Sequence, residues 1–198
     1  MASIERSKGL SYSTRDLLVV AVLAAVSGVV NVFVVFPYAK FIEGVVGPFG
    51  MPLNTFLFVF WGVIAAFITG KPLAALIWSL LDGVVELLVG SGSGSVLLLF
   101  VLFQGLGLEL GVALWGYRPS LKAAATSGAL ACVGFMIAFL YIFGFGTYPI
   151  GTQIGLLIAE AVVGAIGAGL LSFYVYRGLE RAGVTTQLRG GQPFEMVE

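Results

Sequence analysis

Apolar stretches of bilayer length, each stopped by proline or glycine, leave this chain few folds to choose from. A helix needs about 20 apolar residues to cross the hydrocarbon core of a membrane. Six such stretches fit between the breaks: 16 to 36, 53 to 69, 71 to 89, 95 to 116, 121 to 145 and 152 to 177. Pro37, Pro48, Pro52, Pro72, Pro119, Pro149 and Pro193 all fall at an edge of one of them or in a tail. That is where proline belongs if no helix interior is to lose an amide. With 59% apolar and 10% charged residues, the chain has too little polar surface to coat a soluble globule. The expected fold is therefore an all-α integral membrane protein of six helices. A tail of residues 1–15 precedes the membrane domain at 16–177, and a second tail follows at 178–198. The stretch YAKFIEGVVGPFGMP, too short and too polar to cross, reads as a lid-like loop between the first two helices.

Charge fixes the orientation and removes several functions. Placing both termini in the cytoplasm puts Arg6, Lys8, Arg15, Lys71, Arg118, Lys122, Arg177, Arg181 and Arg189 inside and only Lys40 outside. The expected location is a plasma membrane, crossed several times. A net charge of zero gives no surplus of cations for nucleic acid. The absence of histidine and the single cysteine, Cys132, argue against a metal centre and a disulfide framework. Neither a GxxxxGK[ST] phosphate loop nor an HExxH motif occurs, so neither ATP hydrolysis nor zinc hydrolysis is indicated; no cofactor is expected and the chain does not read as an enzyme.

Four acids lie within the apolar stretches: Asp82, Glu86, Glu109 and Glu160. No Lys or Arg stands between Lys71 and Arg118 to neutralise the first three. A carboxylate at mid-bilayer costs about 2.5–3.5 kcal/mol on insertion scales, so each must face the bundle interior, hold a proton or meet a cation. Ser79, Asp82 and Glu86 fall at i, i+3 and i+7 on one helical face, with Trp78 beside Asp82. Gln153 and Glu160 share a face of the last helix in the same way. Acids and rings without an internal counter-ion suit a flat organic cation. Asn31 and Asn54, near the outer ends of the first two helices, read equally as caps and as ligand contacts. Ala21, Ala25, Ala24 and Gly28 form small-x-x-x-small pairs on the first helix that would let another helix approach closely.

At FQGLGLELGV, residues 103–112, and GKPLAAL, residues 70–76, the chain resembles the YkoE family of substrate-binding S components of energy-coupling factor (ECF) transporters. The resemblance runs from Gly47-Pro48 through Lys71-Pro72 and Glu86-Leu-Leu-Val-Gly90 to Gln104-Gly105-Leu106-Gly107-x-Glu109. It matches the family at Lys71, Glu86, Gln104 and Glu109, and departs from it where an early acid of the third helix is displaced to Asp82. It implies a subunit that captures a small-molecule vitamin, thiamine or its hydroxymethylpyrimidine precursor, near the outer face. Such a subunit docks on an ECF transmembrane subunit powered by two ATPase subunits, within the membrane lipid. The substrate-binding residues then expected are Glu86, Asp82, Trp78, Ser79, Gln104, Glu109, Glu160 and Asn54, with Ala21, Ala25, Ala24 and Gly28 docking the partner. The competing reading is a self-sufficient proton-coupled carrier of an organic cation, in which one of the acids cycles its proton. Its inverted repeat and broken helices are not evident in the sequence.

Overall fold

The computed structural model describes residues 12–142 and 144–185, and among them every regular element is helical. Helix α1 (Thr14–Val30) starts at a reciprocal cap: the Asp16 amide donates to Ser13 Oγ, and the Ser13 amide donates to Asp16 Oδ2 at 2.9 Å. It does not stop at Pro37. A π-helical turn (Asn31–Val35) carries it without a break into α2 (Phe36–Val46), giving one 33-residue helix from Thr14 to Val46. The wide turn, closed by the Phe36 amide on the Asn31 carbonyl, makes room ahead of the proline ring, and Pro37 occupies the first turn of α2, where a missing amide costs little. The expected lid-like loop is thus corrected. Residues 36–46 are helix, and only Gly47–Gly50, a single 3-10 turn, and the cap residue Met51 separate them from α3. At about 1.5 Å per residue the joined helix is roughly 50 Å long, well beyond a 30 Å hydrocarbon core.

The remaining helices follow the sequence breaks closely. They are α3 (Pro52–Thr69), α4 (Ala74–Val89), α5 (Leu97–Ala113), α6 (Leu121–Ile142), α7 (Ile150–Val163) and α8 (Gly169–Arg181). A second π turn (Gly164–Ala168) joins α7 to α8, so that Ile150 to Arg181 is again one continuous helix. It runs past the expected boundary at residue 177, and residues 186–198 lie outside the described part. Five of these helical stretches are long and apolar enough to cross a membrane. The sixth, α4, has only 16 residues, and its buried face carries Ala75, Trp78, Ser79, Asp82, Gly83 and Glu86. It packs against α1, α3 and α5.

Helix α6 stands at the centre, touching α3, α5, α7, α8 and the second π turn. Glycine makes this possible. A methyl group at Gly107 or Gly111 of α5 would collide with the α6 backbone at Leu130 or Ser127, and one at Gly134 of α6 would strike the Phe103 carbonyl. Across the other side, Gly128 and Gly164 meet backbone to backbone. Such contacts bring helices closer than side chains would allow, which is how helices gain dispersion energy where no hydrophobic effect drives them together.

Candidate functional site

Asp82 and Glu86 lie one turn apart on the buried face of α4, 1% and 2% exposed. Helix α1 is brought against them by Gly28, where an added methyl would come within 2.7 Å of Val85 and 3.1 Å of the Asp82 carbonyl. The approach lets α1 satisfy the acids with neutral donors. Ser27 Oγ donates to Asp82 Oδ1. Asn31 Nδ2 donates to Glu86 Oε1 at 2.8 Å and reaches Asp82 Oδ2 at 3.3 Å. Asn31 is therefore a ligand of the acid pair, and its own Oδ1 is buried without a hydrogen-bond partner among the described residues.

Beside the pair opens a cavity of about 250 Å³ of empty space, its mouth included. Asp82, Glu86 and Gln104 supply its polar lining; Phe36, Phe58, Phe100 and Phe135, with Leu97 and Val101, supply the rest. The rings are in mutual contact. Phe36 and Phe58 centroids lie 5.1 Å apart, Phe100 and Phe135 5.2 Å apart, and Phe58 and Phe135 are nearly parallel at 6.3 Å and 11°. A pair of carboxyl groups, one side-chain amide and four phenyl rings form a receptacle for a small aromatic cation or an amino-substituted ring.

The structure separates the expected site residues. Asp82, Glu86 and Gln104 meet at the cavity. Trp78 and Ser79 share the helical face of the acids but not their surroundings: the indole is fully buried against Gly62 and Leu108, and Ser79 Oγ donates to the Val101 carbonyl at 2.7 Å, under Gly105. The expectation of a ring-stacking Trp78 is corrected, because α4 turns the indole toward α3 and α5. Asn54 donates back to the Gly50 carbonyl at 2.7 Å and so closes the first turn of α3. Glu160 is fully buried between α7 and α3, where Thr55 Oγ1 donates to its Oε1 at 2.9 Å; it does not line the cavity.

Glu109 belongs to the opposite end of the bundle. One oxygen, Oε1, accepts the Leu73 amide at 2.6 Å and the Tyr117 hydroxyl at 2.6 Å. Leu73 and Tyr117 are the two non-glycine residues with positive φ among those described, at 67° and 59°. A single carboxylate thus holds the α3–α4 and α5–α6 turns, both in a conformation that side chains disfavour. Around it, Lys71 Nζ pairs with Asp16 Oδ2 at 2.8 Å and Tyr12 donates to the Pro72 carbonyl. Burial, then the Glu109 and Asp16 charges, push the Tyr12 phenol up to about 12, and burial together with its bond to Glu109 raises Tyr117 as well. Glu109, expected among the substrate-binding residues, clamps two turns and does not line the cavity.

The small residues of α1 split by face. Ala24 and Gly28 are buried inside the bundle, while Ala21 and Ala25 are exposed. Ser27 and the four phenylalanines were not picked out by the sequence. Ser27 was accessible, since Ala24, Ser27 and Asn31 repeat the i, i+3, i+7 spacing seen in Ser79, Asp82 and Glu86. The phenylalanines carried no such signal, because sixteen are scattered through the chain and only the fold selects four.

Comparison with known proteins agrees with this architecture. Residues 15–134 match the family described as ABC-type cobalt transport system, permease component. A Bacillus subtilis (strain 168) protein assigned as HMP/thiamine permease protein YkoE is 28% identical over 184 residues, 92% of each chain. A solved structure, the crystal structure of an S-component of an ECF transporter, superposes with a TM-score of 0.83 at 27% identity. The match covers 91% of this chain and 92% of that one.

Proposed function

The chain belongs to the family of permease components of ABC-type cobalt transport systems and has the multi-pass membrane fold of an ECF S component, and on that premise we propose that it captures thiamine or its hydroxymethylpyrimidine precursor for import. It is a transport subunit, not an enzyme. The observation that carries the reading is the Asn31 bridge: an NH2 group already sits across Asp82 and Glu86, donating to both. Both compounds carry an amino group on a flat pyrimidine ring, and that group offers the acids the same two N–H donors. The ring would lie among Phe36, Phe58, Phe100 and Phe135 with Gln104 available to its ring nitrogens. The name of the Bacillus subtilis relative points to the same cargo. Cobalt, the cargo of the family description, is served less well: two carboxyls and an amide among phenyl rings are a poor hard-ligand shell, and among the described residues no cluster of three His, Cys, Asp or Glu converges.

In this reading the termini are cytoplasmic, the side that the distribution of Lys and Arg favours, and the cavity opens outward. The exposed Ala21 and Ala25 form the strip on which an ECF transmembrane subunit, itself bound to two ATPase subunits, takes its seat. Mass spectrometry of small molecules released from the purified chain, followed by titration calorimetry, tests the cargo. Thiamine or hydroxymethylpyrimidine should be found and should bind tightly; a chain that binds neither ends the reading. Vesicles containing the chain alone should show no uptake driven by a pH gradient, and uptake there would establish a self-sufficient carrier instead.

A further inference from the structure

The cavity is too small for its cargo. Its empty space, mouth included, is about 250 Å³, whereas sites for small organic ligands run from about 300 Å³ upward. Some wall must give, and most of them are fixed. Helices α5 and α6 meet through backbone at Gly107, Gly111 and Gly134, and α1 is seated on α4 through Gly28. The near-parallel ring pair of Phe58 and Phe135 meets through side chains alone, and side chains can turn where backbone contacts cannot.

One helical turn from those rings, along both α3 and α6, the structure keeps another acid. Thr55 lies one turn before Phe58 on α3, and Cys132 one turn before Phe135 on α6. Glu160 of α7 accepts a hydrogen bond from Thr55, and the Cys132 thiol lies against Gly164, one turn after Glu160, where an added methyl would come within 2.8 Å of Sγ. Glu160 is 0% exposed, and its Oε2 has no hydrogen-bond partner among the described residues. No Lys or Arg occurs between Lys122 and Arg177 in the chain. A buried carboxylate oxygen left unpaired is costly, and a cation arriving past two phenyl rings would complete it.

Resting on the vitamin reading above, we propose that Glu160 is the second anchor of the site. Phe58 and Phe135 part to admit the far, positively charged ring of a two-ring cation, while Asp82 and Glu86 hold its amino-substituted ring. Glu160 thereby sets the preference between the two cargoes. Thiamine, with its thiazolium, spans both anchors; hydroxymethylpyrimidine, which ends after one ring, reaches only the first.

Calorimetry on the purified full chain, with thiamine and hydroxymethylpyrimidine as the probes, tests this. Glu160→Gln should weaken thiamine about tenfold or more and leave hydroxymethylpyrimidine within about twofold, the loss expected for one charge-assisted contact. Glu86→Gln should weaken both. Should Glu160→Gln not survive purification, Glu160→Asp, which keeps the charge on a shorter arm, takes its place with the same split expected. Equal losses for both probes, or no loss for thiamine, overturn the second anchor. A wild-type chain that binds neither probe overturns the vitamin reading, and this inference falls with it; with a wild-type chain that binds both, any failure of the expected split counts against Glu160 alone.

Discussion

The two ends of this bundle keep their acids in opposite ways. At the Glu109 end the carboxylate is committed to the chain itself. It accepts a backbone amide and a phenol at 2.6 Å each, neighbours an ion pair between Lys71 and Asp16, and pins two turns in left-handed geometry. At the Asp82 end the acids are held by a hydroxyl and an amide, both neutral and both on one helix, with phenyl rings filling the other sides. In the first arrangement a ligand could displace the donors only by undoing the turns they belong to. On the proposed reading, the second yields to a cargo that donates N–H in the place of Asn31. An acid within a membrane is thus not a site by itself; what distinguishes a site is that its partners are replaceable.

The strongest way to break this comparison is Glu109→Ala. Removing the clamp abandons one amide and one hydroxyl and the two strained turns they hold, so a loss of about 3–4 kcal/mol in stability is expected. Thermal unfolding in detergent measures it. Cargo affinity of the molecules that remain folded should change by no more than about twofold, and a selective loss of affinity would place Glu109 in the site after all. A smaller effect is expected at the other end. Asn31→Ala removes the bridge across Asp82 and Glu86 and should cost about 1–2 kcal/mol in the cargo-free chain. Cargo should recover much of that loss, so ligand-induced stabilisation in a melting assay should grow relative to wild type. An unchanged increment would mean that cargo does not take the place of the amide.

The smallest effect concerns pH. Tyr12 and Tyr117 lie outside the spans and have phenols raised above the ordinary value of 10.0. A group that holds its proton more firmly when folded contributes stability that is intact below its unfolded value and is lost as pH climbs toward the folded one. Stability should therefore be flat up to about pH 10 and fall between about 10 and 12. Tyr117→Phe should flatten that fall, and a slope unaffected by the substitution would assign the alkaline transition elsewhere.

Much of the fold was legible because breakers and apolar runs obey local rules. The expected spans at 53 to 69 and 121 to 145 became Pro52–Thr69 and Leu121–Ile142. Pro37 misled, since a proline just after a π turn costs a helix little, and no local signal in NVFVVFP distinguishes that turn from an ordinary helix end. The acid pair was legible because a charge in an apolar run is conspicuous. Its partners were half legible: Asn31 stood out and Ser27 did not, although the two share a face. Trp78 and Glu109 were misplaced for one reason. Helical spacing tells which residues share a side but not which neighbour that side meets, and Gly62, Leu108, Leu73 and Tyr117 decide the matter from elsewhere in the chain.

Within FQGLGLELGV, Gln104 faces the cavity, Gly105 receives Ser79, Gly107 and Gly111 receive α6, and Glu109 closes the far turns. Where two main chains touch with nothing between them, the wall they form has a fixed address. Gln104 and Phe135 can be exchanged for other side chains, but they cannot be relocated. A scaffold built this way acquires a new cargo by rewriting letters at set stations, and the seam of glycines is the ruler against which those stations are marked.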